Sequence, residues 1–304
     1  MKIGFFKMGL KTYFEKDKSK AEGFNHELCD IFDIFEKQGH ECVMLSVSDK
    51  YKKYEGTDLD YIFLFNGPTP TTESGRKMMM FKNYSFPIID FINSNNIPYV
   101  YFWTDCRYDI RENKLFNRQP QLILSQESEH YGHLDKLCLY KKELKPYQDK
   151  TIKLGILLND TDKRRSKSVL ANLKWLNYGE LRGKWKETNR FLKESINEKE
   201  LDSYLSSVKY SYNEAVNPNW VSQKYWEMIL NNVICFYRHY DKDNLLITIK
   251  VNDEIDLEES INKYEDDEND YIKQLASQLC LIRDEYLDGS FIYKFIIEKL
   301  CQNN

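Results

Sequence analysis

Hydrophobic and polar positions follow two alternating periods along this chain. In the first half, short apolar runs at Lys2–Phe6, Cys42–Ser46, Tyr61–Phe65, Tyr99–Trp103, Leu122–Ser125 and Leu137–Tyr140 have the length and side-chain types of strands. Between the first two runs, Phe24, Leu28, Ile31, Phe32 and Phe35 recur at i, i+4, i+7, i+8 and i+11. That spacing predicts an amphipathic helix, with Gly39 as its C-cap. Asn66-Gly67-Pro68 breaks the third run into a loop, and a helical stretch then reaches about Asn93. Strands that read as apolar runs, with helices between them, indicate a parallel sheet covered on both faces.

The polar segment Lys141–Lys153, which carries Pro146, reads as an interdomain linker. A second series of strands follows at Ile152–Leu158, Leu176–Tyr178, Val208–Tyr212, Val233–Tyr237 and Leu245–Val251. One helix starts near Arg164, and another spans Trp220–Leu230 behind the cap pair Asn217-Pro218. The acidic run Asp253–Asp270 reads as solvated helix faces and turns, and two helices, about Asp267–Tyr286 and Phe291–Cys301, end the chain. The expectation is α/β: two facing Rossmann-like domains, 1–145 and 146–304, with a cleft between them. Neither half carries a GxGxxG or a Walker lysine loop.

Composition narrows the picture without naming a chemistry. With 41% hydrophobic and 30% charged residues among 304, the chain can fill two ordinary cores. It has no run of about 18 apolar residues, which excludes a membrane-spanning helix, and MKIGFFKMGL is too short and strand-like for a signal peptide. The seven cysteines are scattered and form no CxxC, which suits reduced thiols in a cytoplasm. A net charge of -4 does not announce a nucleic-acid partner, so any basic surface must be local.

Candidate chemistry sits where strands end. The run YVYFWTDCR stops at Asp105, with Arg107 two residues on. The carboxyl end of a parallel strand is where open α/β sheets build sites, so Asp105 is a candidate general base; an N-cap aspartate with a local arginine would look the same. Arg164, Arg165 and Lys167 follow a strand and could clamp a diphosphate, or simply solvate a helix start. Lys224 and Glu227 lie one turn apart near a helix N-terminus, where Lys224 could meet phosphate and Glu227 ribose hydroxyls. An exposed i, i+3 salt bridge has the same spacing. Glu27 flanks the stripe of the first helix, and it too reads equally as a solvated position. His130 and His133 form an HxxH without a third ligand, too little to compel a metal.

In their order and spacing these segments resemble the DNA β-glucosyltransferases of T-even bacteriophages. Those are GT-B enzymes that transfer glucose from UDP-glucose to 5-hydroxymethylcytosine in duplex DNA. MKIGFFKMG looks like the family's opening strand and glycine turn, ending at Gly9. Glu27 stands at the family's active-site glutamate, and YFWTDCR resembles its Thr-Asp-x-Arg strand end, placing Asp105 on the catalytic aspartate. LILSQ (Leu122 to Gln126) resembles the family's Ile-Ser-Gln segment, RRSK (Arg164 to Lys167) its arginine-led helix start, and LNYGELRGKWK its strand-glycine segment around Gly179. QKYWEM resembles its Arg-x-Trp-Glu motif, with Lys224 on the diphosphate arginine and Glu227 on the ribose glutamate. Two departures stand out: the family's second donor arginine falls near Asp160, and Lys224 lacks the bidentate fork of arginine.

The resemblance implies a GT-B fold, with an acceptor domain over 1–145 and a nucleotide-sugar domain over 146–304. It implies an inverting hexosyl transfer from a UDP-sugar, with Asp105 and Glu27 catalytic and Gly9, Arg164, Arg165, Gly179, Lys224 and Glu227 at the donor. No cofactor is required, though Mg²⁺ could assist UDP release. The partner would be double-stranded DNA with modified bases, and the location the cytoplasm, of a host cell if the protein is viral, away from any membrane. Arg107, Tyr108 and Arg111 are acceptor candidates, and Lys77, Lys82, Lys114 and Arg118 could hold DNA phosphates while Phe116 or Tyr108 wedges or stacks. Two readings compete: a GT-B enzyme with a non-DNA acceptor, and a catalytically silent nucleotide- or DNA-binding protein on the same scaffold.

Overall fold

The computed structural model describes residues 1–7, 26–45, 58–65, 86–102, 116–125, 132–133, 143–158, 163–183, 192–196, 198–214, 223–238, 249–280, 282 and 284–302. Within these, the strands form two sheets, each wholly parallel. In the first sheet, β1 (Lys2–Lys7) lies between β2 (Glu41–Met44) and β3 (Tyr61–Phe65). Beyond β3 come β4 (Tyr99–Phe102), β5 (Leu122–Ser125) and β6 (Gly132–His133). Helix α1 (His26–Lys37) joins β1 to β2, and α2 (Phe86–Asn95) joins β3 to β4.

The second sheet has the order β11-β10-β9-β7-β8, built from β7 (Ile152–Leu157), β8 (Glu180–Arg182), β9 (Val208–Glu214), β10 (Ile234–Arg238) and β11 (Ile249–Lys250). Helices α3 (Lys163–Leu176), α4 (Glu198–Ser207) and α5 (Gln223–Leu230) connect β7 to β8, β8 to β9 and β9 to β10. Then come α6 (Glu254–Asp266), α7 (Glu268–Leu279), the short α8 (Asp284–Leu287) and α9 (Ser290–Gln302). Read from its first strand, each sheet begins with the same 2-1-3-4-5 order, so each has a switch point beside that strand: β1/β3 and β7/β9.

The α1 stripe packs as its spacing predicts. Leu28, Ile31, Phe32 and Phe35 are buried against Ile3, Phe5, Phe63 and Phe65. Phe5 meets Phe32 and Phe63 edge-on at centroid distances of 5.1 and 5.2 Å, an arrangement that suits the ring quadrupoles. The helix ends in a Schellman pair: Gly39 donates its N–H to the Glu36 carbonyl at 3.0 Å and His40 to that of Phe35 at 3.2 Å. The second core is built the same way, with Val169, Leu170 and Leu173 of α3 and Leu257, Ile261, Tyr271 and Leu275 of α6 and α7 covering one sheet face. In the acidic run, Asp253 and Asp267 are N-caps, each accepting hydrogen bonds from two backbone N–H groups.

Several expectations are corrected. Leu176 is the last residue of α3, not the start of a strand, and β8 begins at Glu180. The stretch from Asp267 to Tyr286 holds two helices rather than one, and α4 has no counterpart in the sequence reading. Leu137–Tyr140 lies outside the described residues, and the outermost described strand of the first sheet is β6. His133 lies in that strand, and His130 lies outside the described residues.

The chain forms two compact units, Met1–Lys141 with Asp288–Asn304 and Lys142–Leu287. Thus the last helix belongs to the first domain, not the second. Ile292, Ile296 and Leu300 of α9 are buried in the first core, and the Tyr293 ring lies 5.1 Å from that of Phe35. Gly289, just before α9, has φ +81°, a conformation that L side chains rarely adopt, and a Cβ there would also press on Ile34. Ile296→Ala should therefore cost about 2–5 kcal/mol. Hydrogen exchange should show protection lost across β1–β5 and α1, while β7–β10 keep theirs.

The linker is tied to the second domain along its amino edge. Lys145 donates its backbone N–H to Leu230 O at 2.9 Å, and its carbonyl accepts from Asn232 Nδ2 at 2.8 Å. Lys150 Nζ donates to Ser206 O and Asn231 O at 2.9 and 2.8 Å, so one ammonium serves the C-terminal ends of α4 and α5. Burial lowers its pKa to about 8. The unfolded chain then holds the extra proton between about pH 8 and the ordinary lysine range near 10.4, and the group's contribution to stability rises with pH across that window. Replacing Lys150 by Met should flatten this rise, as read by denaturant unfolding at pH 8 and pH 10.

Candidate functional site

In a parallel sheet, each helix that follows a strand starts at the carboxyl edge. The two switch points therefore gather particular helix N-termini. At the first domain's carboxyl edge, α1 follows β1, and the backbone of Glu27 lies in its opening turn. Lys7, the last residue of β1, precedes Gly9 by two positions, and Phe102, which ends β4, precedes Asp105 by three. Gly9, Asp105, Arg107, Tyr108 and Arg111 lie outside the described residues, as do Lys77, Lys82 and Lys114.

Two acceptor candidates are placed elsewhere. Phe116 stacks on Tyr99 with ring centroids 4.6 Å apart, and the Tyr99 hydroxyl donates to the Arg118 carbonyl at 3.1 Å. Tyr99 is the first residue of β4, which puts both residues at the amino edge. Arg118 Nη1 donates to the Asn96 carbonyl at 2.8 Å, just past the end of α2. Phe116 is thus engaged in stacking, and Arg118 in closing a helix end, on the far side from the strand ends that lead to Gly9 and Asp105.

In the second domain, α3 follows β7 and α5 follows β9, one on each side of the switch between those strands. The backbones of Arg164 and Arg165 lie in the first turn of α3, and that of Lys224 in the first turn of α5. Cationic residues thus open both helices at one edge, where the first N–H groups of a helix favour an anion. Glu227 is half-buried one turn into α5, between the buried Trp226 and Met228. Its backbone carbonyl accepts from Asn231 N and Nδ2 at 3.2 and 2.9 Å. Tyr225, Trp226, Met228 and Ile229 are buried and anchor the helix.

Gly179 is at the opposite end of this sheet, between the C-terminus of α3 and the start of β8. Its φ is +106°, and a Cβ there would lie 3.0 Å from Leu173 Cδ2 and 3.2 Å from the Leu154 carbonyl oxygen. Backbone conformation and close approach account for this glycine.

Sequence reasoning missed two charged residues at the carboxyl edge. Glu214 ends β9 and Arg238 ends β10, and the two stand in register. Glu214 is 6% exposed; its Oε1 accepts from the Tyr212 hydroxyl at 3.3 Å and lies 4.0 Å from Arg238 Nη1. The signal was present in VKYSYNE and VICFYR, each an apolar-rich run closed by a charge, the pattern that singled out Asp105. Arg182, at the end of β8, is committed locally to Glu180, the Glu194 carbonyl and the Tyr204 ring. Among the described residues, no group of three His, Cys, Asp or Glu side chains could hold a metal ion. Nor is any helix there long and apolar enough to cross a membrane.

No family model matches the chain, and no characterised protein matches it by sequence. Solved structures do match in fold. The DNA-modifying enzyme β-glucosyltransferase, crystallised with and without its substrate uridine diphosphoglucose, has a TM-score of 0.74 at 12% identity, covering 99% of both chains. The T4 phage BGT in complex with its UDP-glucose substrate has a TM-score of 0.71 at 12% identity, again over 99% of both. HepE of Anabaena, in complex with UDP and glucose, has a TM-score of 0.59 at 14% identity over 99% of this chain and 100% of that one.

Gly179→Ala should cost about 1–3 kcal/mol through strain at positive φ. Nucleotide affinity should be unchanged where the variant is folded, as read by thermal unfolding and calorimetric titration. A selective loss of nucleotide binding at full stability would return Gly179 to the donor residues. Together the parallel sheets, their shared strand order and these likenesses give the chain the two-domain Rossmann-like fold of GT-B glycosyltransferases.

Proposed function

We propose that this chain is a glycosyltransferase that moves glucose from UDP-glucose to the hydroxymethyl group of a modified pyrimidine in double-stranded DNA. The observation that carries the reading is the likeness to the DNA-modifying β-glucosyltransferase over 99% of both chains. The ordered motifs support it: Glu27, Arg164, Arg165 and Lys224 lie in the opening turns of helices at the carboxyl edges, and Gly9 and Asp105 follow β1 and β4 in the chain. The domain of β1–β6 takes the DNA and that of β7–β11 the nucleotide sugar. The T4 phage likeness favours a viral enzyme working in the host cytoplasm.

The acceptor's primary hydroxyl oxygen attacks the anomeric carbon, the bond from that carbon to the diphosphate breaks, and its electron pair leaves with UDP. Asp105 takes the hydroxyl proton, a contribution of about 10²–10⁴-fold. The transition state is oxocarbenium-like, and a single displacement inverts the anomeric centre. Charge growing on the diphosphate is stabilised by Arg164, Arg165, Lys224 and the N–H groups opening α3 and α5. Glu227 holds the ribose, Gly9 lets the backbone approach the donor, and Glu27 orients sugar hydroxyls. Arg107, Tyr108 and Arg111 serve the DNA, whose target base must leave the stack at a cost of a few kcal/mol. Gly179, Phe116 and Arg118 have no part in this scheme, because they lie at the amino edges. Mg²⁺ could assist UDP release, without a protein ligand set assigned to it.

The test is transfer of labelled glucose from UDP-glucose to duplexes carrying hydroxymethylcytosine, hydroxymethyluracil or neither. Label should enter modified DNA only, and Asp105→Ala should lower kcat by about 10²–10⁴-fold. Transfer to a sugar or lipid acceptor with none to DNA would replace the acceptor. Binding of UDP or DNA without turnover of UDP- or GDP-sugars would replace catalysis with binding.

A further inference from the structure

We infer that Arg238, held in place by Glu214, is a further contact for the donor diphosphate; this rests on the nucleotide-sugar reading above. Three observations carry it. First, place: β10 runs parallel to β7 and β9, so Arg238 ends at the edge where α3 and α5 begin. Strands lie about 4.8 Å apart, so β10 stands two strand spacings from β7, within reach of an arginine side chain.

Second, face. Residues alternate along a strand, and Tyr210 and Tyr212, two and four before Glu214, belong to the core that α3 covers, as do Ile234 and Phe236 before Arg238. Both charged residues therefore stand on the α3 face of the sheet. That is the face whose covering helix opens with Arg164 and Arg165. Lys224 opens α5 at the same edge. A guanidinium there faces a diphosphate bidentately, which a lysine cannot do.

Third, cost. A carboxylate as buried as Glu214 is unfavourable unless well paired, and apolar residues of similar volume are often as stable or more so. Its pairing is loose: Oε1 lies 4.0 Å from Arg238 Nη1, and Oε2 is buried without a hydrogen bond from the described residues. A structural salt bridge would gain from tighter geometry. A buried carboxylate beside an arginine that ends its strand at the carboxyl edge and stays a quarter exposed fits a positioning role.

The experiment is calorimetric titration of the whole protein with UDP and with UMP. Arg238→Gln should weaken UDP about tenfold and UMP much less, since the β-phosphate is what the guanidinium adds. Arg238→Lys should fall between wild type and Gln, and serves if the Gln variant does not fold. Glu214→Gln should move the UDP-to-UMP preference in the same direction, with a smaller change. An unchanged preference in folded Arg238→Gln or Arg238→Lys, whatever their melting temperatures, would show a purely structural pair and overturn the inference. Failure of the wild-type protein to bind UDP or GDP would instead overturn the donor reading beneath it.

Discussion

Parallel pairing of β1 with β3 and of β7 with β9 is the constraint from which the rest of each domain follows. A parallel pair needs a crossover, and a crossover helix must start where its strand ends. All the strands of a sheet therefore end at one edge, and the helices α1, α3 and α5 open there. Charged side chains cannot be buried within such a sheet, covered as it is on both faces, but they can close its strands. Glu214, Arg238 and Arg182 do so in the second domain, and in the first β4 runs toward Asp105.

The two cores meet this constraint with different means. The first relies on interlocked phenylalanines from β1, β3, β4 and α1, closed by a helix that arrives from the far end of the chain. The second uses aliphatic residues of α3 with tyrosines and two acidic helices whose apolar stripes face inward. Among its buried polar groups, Gln278 serves the start of a strand, where backbone groups lack ladder partners. Gln278 shows the principle: its amide donates to Val233 O and its carbonyl accepts from Cys235 N, at the beginning of β10.

The fold likenesses bear on function only through the residues at these edges. Proteins of this architecture include one crystallised with UDP and glucose and one described as DNA-modifying, so the scaffold itself does not choose an acceptor. On the proposed reading, acceptor choice falls to the segments that follow β1, β3 and β4 in the chain, which carry Gly9, Lys77 and Asp105 through Arg111. On the same reading, donor choice falls to α3, α5 and the strand ends beside them.

Much of the architecture was legible in the residues alone. Tyr61–Phe65 as a strand, the Leu28-to-Phe35 stripe as a helix and Asp253–Asp270 as solvated helices rest on local periodicity, which a chain displays before it folds. Asp105, Arg164, Lys224 and Glu227 were visible as candidates because short motifs state their chemistry within a few residues. What only the tertiary structure decided depends on contacts distant in sequence. Ile292, Ile296 and Leu300 have the same helical spacing whichever core they enter, and their packing with Phe35 and the first sheet places them in the first. Gly179 lies beside a strand in either reading, but strand direction puts it at the amino edge. Glu214 and Arg238 are 24 residues apart and meet only because β9 and β10 pair in register. Periodicity determines which face of an element is apolar; pairing decides which elements share an edge, and so which charges stand together.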